Sequence, residues 1–138
     1  MNQSLLALMT KLNWQLNELN LHMQEVQNQL QTVNQHIQDI DTRLNQSGLN
    51  SLTINPELEI NRLNFVTQLH EQKEQWIMES KNHLATESKL KEKIQRVKTE
   101  SKMLEKYLAR EEASQQEQQK KAHDNAMDEW VIQKRETV

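Results

Sequence analysis

Cysteine is absent from the 138 residues, glycine and proline occur once each, and aromatic side chains make up 4%. Without cysteine there is no disulfide framework, no thiolate zinc site and no thiol nucleophile. So few turn formers exclude a many-stranded or many-looped fold. A single glycine cannot build a glycine-rich phosphate loop. An excess of one charge is missing too. The net charge is −3, and residues 1–55 hold Lys11 and Arg43 against Glu18, Glu25, Asp39 and Asp41. The remainder is as evenly mixed, so neither half is a polycation. That argues against nucleic acid as a partner through bulk electrostatics. No apolar run approaches the roughly 18–20 residues that span a bilayer, so direct membrane insertion is not expected. The opening stretch from Met1 to Met9 has no positive n-region and no small-residue cleavage site, and does not read as a signal peptide.

What is abundant is amide. Asparagine and glutamine together account for 31 of the 138 residues. With a mean hydropathy of −0.95, the chain cannot fill a thick core. One or two long helices with a narrow apolar seam, or disorder, remain.

The periodicity favours helices. Leu5, Met9, Leu12, Leu16, Leu19, Met23, Val26, Leu30, Val33, Ile37, Ile40 and Leu44 are separated by alternating steps of four and three. A helix with an apolar residue every 3.5 positions on average buries that stripe against another helix in a left-handed supercoil. Regularity stops at Gln46-Ser47-Gly48, and Pro56 follows shortly after. Gly48 suits a helix C-cap. Asn55 and Pro56 suit an N-cap and first helical residue, with Glu57 and Glu59 complementing the dipole of the next helix. The spacing predicts a first coiled-coil helix over 1–46, a connecting turn over 47–56 and a longer second helix over 57–138.

The second seam is expected to use Ile60, Leu63, Val66, Leu69, Leu90, Ile94, Val97, Leu104 and Leu108. Its middle is irregular. Lys73, Ser80, His83 and Glu87 fall on seam positions, which predicts a register slip or loosened packing there. Folding back at the turn places Leu44 near Ile60, and residues past about Met103 then extend beyond the first helix. The expected fold is all-α: a long antiparallel two-helix coiled-coil hairpin with an overhanging C-terminal helix.

No enzyme is expected. The five histidines, His22, His36, His70, His83 and His123, show no metal-ligand spacing, so no metal and no cofactor is expected. A two-helix fold offers no enclosed pocket for a catalytic triad. The informative residues are apolar and off the seam. Ala7, Trp14 and Leu21 recur every seven positions opposite it, as surface apolars, oligomer packing or a docking surface. Phe65 lies beside Val66, with Leu69 and Trp76 following. Met127, Trp130 and Val131 form a small apolar patch near the end. Exposed tryptophan is costly alone and strong as an interface anchor.

Phe65, Leu69, Trp76, Leu104, Arg110 and the run Met127-Asp128-Glu129-Trp130 carry a resemblance. In kind and spacing they are similar to the second helix of the flagellar export protein FliJ family and, more loosely, of the stalk proteins of type III secretion systems. The resemblance is best from about residue 54 to 136. The Asn/Gln-rich first helix departs from that family, whose first helix is usually charged. The resemblance implies a cytoplasmic, antiparallel coiled coil, peripheral to the inner membrane. It would insert into a hexameric export ATPase, promote its assembly, and link it to the cytoplasmic domain of the export gate. It implies Phe65, Leu69 and Trp76 as export-gate contacts, and Leu5, Leu8, Arg110, Asp128, Glu129 and Trp130 as ATPase contacts. Export chaperones are further implied partners. The alternative is a homo-oligomeric structural or tethering coiled coil, because the seam of the first helix serves a dimer as well as a hairpin. A peripheral membrane-binding helix fits poorly, since no face is rich in lysine and arginine.

Overall fold

The computed structural model describes residues 3–47 and 55–136. Among them the chain is all-helical, with two helices packed against each other: α1, Gln3–Ser47, and α2, Pro56–Glu136. The start of α2 follows from its sequence. The Asn55 side-chain oxygen accepts from the Glu57 amide at 3.2 Å, and the Asn55 carbonyl accepts from the Glu59 amide at 3.0 Å. The first contact satisfies an N–H that a helix start leaves orphaned, and the second is the first i→i−4 bond of α2. Proline at the first helical position gives up no hydrogen bond. Glu57 and Glu59 occupy the first turn and Lys134 and Arg135 the last, each sign complementing its end of the dipole. The proposed cap at Gly48 lies outside the described residues. Threonines within the helices turn inward on their own backbone: the hydroxyls of Thr10, Thr32, Thr42, Thr67 and Thr86 each donate to the carbonyl four residues back.

The helices contribute to two compact units. One joins Asn17 to Ser47 of α1 with Pro56 to Gln95 of α2; the other joins α1 up to Leu16 with α2 from Arg96 onward. In the first, Met23, Val26, Leu30 and Leu90 form a core against which Leu19 and Ile94 pack. The helices run in opposite directions here. His36 meets Trp76, Asp41 meets Lys73, and the lower-numbered core residues of α1 meet Leu90. These two side-chain pairs have residue numbers summing to about 112 and 114. The sequence-based offset of about 104 is therefore corrected by roughly one heptad or a little more. The helix ends at the turn differ from the expected bounds by one residue each, so the offset is set by which side chains meet across the pair, Lys73 with Asp41 and Trp76 with His36.

All twelve predicted seam residues of α1 are buried or half-buried. On α2 two expectations are overturned. Ile60 and Leu63 are not in the seam; they are 59% and 62% exposed. At about 100° per residue, Ile60 sits some 180° and Leu63 some 120° from Leu69, so neither can share its face. Glu59 and Arg62 occupy the half-buried positions in their place, their side chains 3.9 Å apart.

There is also no register slip. Val66, Leu69, Lys73, Trp76, Ser80, His83, Glu87, Leu90, Ile94, Val97, Ser101, Leu104, Leu108 and Glu111 are all at least half-buried, in unbroken steps of three and four. Leu69 and Leu90 are three heptads apart and hold one phase across the polar stretch. What loosens is burial: no α2 residue between them is fully buried. The three ionisable side chains of this stretch stand near side chains of opposite or complementary kind. Lys73 Nζ is 2.7 Å from Asp41 Oδ1, Glu87 Oε1 is 3.0 Å from Lys91 Nζ, and His83 Nε2 is 3.6 Å from Glu79 Oε1. Among the described residues no buried side-chain nitrogen or oxygen lacks a hydrogen-bond partner.

Candidate functional site

In the unit built from residues 17–95, the three residues implied as gate contacts differ in accessibility. Leu69 is 3% exposed, held inside the helix pair, while Phe65 is 48% exposed. Trp76 is half-buried at a seam position. Its indole stacks on the imidazole of His36 from α1, with ring centroids 4.4 Å apart and planes 10° from parallel. Trp76 also lines a hollow of about 410 Å³ together with Val33, Thr32, Glu79 and His83. The exposed apolar residues near the start of α2 are more numerous than Phe65 alone, since Leu58, Ile60 and Leu63 join it. Of the three, Phe65 is the exposed one, Trp76 is half-buried and Leu69 is buried. Leu21, on α1, is exposed.

The other unit holds Leu5, Leu8, Trp14, Arg110, Asp128, Glu129 and Trp130. Leu5 is half-buried in the seam, whereas Leu8 and Trp14 are exposed, Trp14 by 61%. Arg110, Asp128 and Glu129 are exposed. Glu111 is the last half-buried residue of α2, and every described residue from Glu112 to Glu136 is exposed. Trp130 is 52% exposed, with the Lys134 ammonium 4.2 Å from its ring centroid. That cation–π contact follows from the i, i+4 spacing, which sets the lysine one turn above the indole. Sequence inspection that counted only apolar residues passed over Lys134. His36 was missed for another reason: an offset that was too small did not bring it to Trp76.

Among the described residues, no group of histidine, aspartate or glutamate side chains is gathered so as to hold a metal ion. No described helix is long and apolar enough to cross a membrane. No family model matches the chain, and no curated protein and no solved structure matches it either.

Proposed function

We propose that the chain is a coiled-coil stalk of a flagellar or type III protein export apparatus. In this reading the helices form an antiparallel coiled-coil hairpin, and α2 continues past the cover of α1 as an overhang. The overhang and the start of α1 enter a hexameric export ATPase and promote its assembly. The region around Phe65 and Trp76 meets the cytoplasmic domain of the export gate, and export chaperones are further partners. The protein is then cytoplasmic and peripheral to the inner membrane.

The observation that carries the reading is the exposed end of α2. From Glu112 to Glu136 it is helical with no half-buried residue, yet it holds Met127, Trp130, Val131 and Ile132. A helix with nothing to pack on is marginal in water, and burial inside a ring would offset the cost of ordering it. Arg110, Asp128, Glu129 and Trp130, on which the family resemblance rests, lie in or beside this stretch. The decisive experiment adds the purified protein to a hexameric export ATPase and measures ring assembly and hydrolysis. Stimulation is expected, with Trp130→Ala reducing it. No stimulation, together with a stable dimer by light scattering, would move the assignment to a homo-oligomeric tethering coiled coil.

A further inference from the structure

The exposed end of α2 has a patterned face. The half-buried positions of this helix run through Leu104, Leu108 and Glu111. Carried on in phase they reach Gln115, Gln118, Ala122 and Asn125, none of them a large apolar residue. A different stripe begins there. Lys120, His123, Met127, Trp130 and Lys134 follow one another by steps of three and four. The offset of two residues turns this stripe about 160° around the helix from the first. It is a short second seam, rotated away from the one that packs on α1.

Its composition differs from its surroundings. Met127 and Trp130 lie at its centre over a shallow hollow of about 410 Å³ bounded by His123 and Ala126. Lys120 and Lys134 stand at its two ends, Lys134 over the indole face. No carboxylate falls on the stripe. Asp124 and Glu117 lie about 80–100° from its centre, and Asp128, Glu129 and Glu136 lie about 120° or more away.

We propose that this face docks a partner helix whose flanks are acidic. The proposal deepens the reading above, which makes the segment a contact region, by naming the face and the chemistry of its partner. An indole and a thioether between two ammonium groups match an apolar stripe bordered by glutamate or aspartate. A second copy of this chain is a poor occupant, because either orientation sets one cationic face against another. An anionic lipid surface fits less well, since a flat membrane would also meet the five carboxylates on the rest of the segment and be repelled by them, whereas a partner helix covers one face. The face also separates two groups of implied ATPase contacts: Trp130 is in it, while Asp128 and Glu129 are turned away.

The test uses the full chain and two labelled helical peptides that share a leucine seam and differ only in their flanks, glutamate in one and lysine in the other. Binding is read by fluorescence anisotropy, with phosphatidylglycerol vesicles as a third probe. The glutamate-flanked peptide is expected to bind at least about tenfold more tightly. Lys120→Glu with Lys134→Glu is expected to reverse the preference, and Lys121→Glu with Arg135→Glu, the same charge change off the stripe, to leave it in place. Both pairs are exposed, so circular dichroism should show the fold unchanged. Equal binding of the two peptides, binding of neither, vesicle binding in their place, or an equal effect from the Lys121 and Arg135 pair would overturn the proposal. No ATPase is present in this experiment. A protein that discriminates the peptides but fails to stimulate an export ATPase would sink the stalk reading alone.

Discussion

The seam of α1 and the middle of the α2 seam do the same job with different chemistry. From Leu5 to Leu44 every α1 seam position is apolar, and six of the twelve are fully buried. Between Leu69 and Leu90 the α2 positions are Lys73, Trp76, Ser80, His83 and Glu87, all half-buried. The first kind of seam supplies most of the burial and says little about its partner. The second supplies less burial and more specificity. Lys73 finds Asp41, and Trp76 finds His36, only at one offset. Polar residues at seam positions fix register and partner at a cost in stability. Two α2 strips paired in parallel would set Lys73 against Lys73 and Glu87 against Glu87, which opposes that arrangement.

The contrast can be broken most severely at its apolar anchors. Leu90 is 4% exposed, and Leu90→Ala should cost about 2–4 kcal/mol by chemical denaturation, because the cavity cannot collapse fully between two stiff helices. A smaller change of opposite sign sharpens it. Ser80→Leu should add about 1 kcal/mol of stability while weakening the choice of partner, seen as a concentration-dependent dimer fraction in light scattering. Smaller again is the coupling between Lys73 and Asp41. Both are partly exposed, so a double-mutant cycle with Lys73→Met and Asp41→Asn should return less than about 1 kcal/mol. At the small end, Trp130→Ala should change stability by less than about 0.5 kcal/mol, since its ring packs on no α1 residue. A large loss there would mean that the end of α2 is held by contacts the exposed residues do not show.

The helices were legible because their signals are local. The four–three alternation of α1, and the Asn55–Pro56 start of α2, each lie within a few turns of the residues they explain. Ile60 and Leu63 misled because apolar character alone placed them on the seam. Their successive steps of three from Val66 drift off a 3.5-residue period, which was countable. The phase across residues 73–87 was also countable, from the three heptads between Leu69 and Leu90. The offset between the helices was not. It shows in which polar side chains meet, Lys73 with Asp41 and Trp76 with His36, and the pattern of either helix alone does not choose that pairing. The partners of His36 and Trp76 therefore needed coordinates. Trp14, Leu21, Phe65 and Trp130 stood out as apolar and off the seam, but the cationic setting of Trp130 emerged only when its neighbours one turn away were counted with it.

The amide-rich flank of α1 has a consequence for ionic strength. Over its 45 residues this helix carries, histidine aside, six ionisable side chains: Lys11, Glu18, Glu25, Asp39, Asp41 and Arg43. Its hold on α2 is therefore nearly blind to salt, which screens exposed charge over about 10 Å at 0.1 M and leaves apolar burial in place. The Lys120–Lys134 face, in contrast, draws its preference from ammonium groups at the surface. Raising the salt should loosen what the end of α2 holds and leave the helix pair intact, so the grip can be released without unfolding the hand.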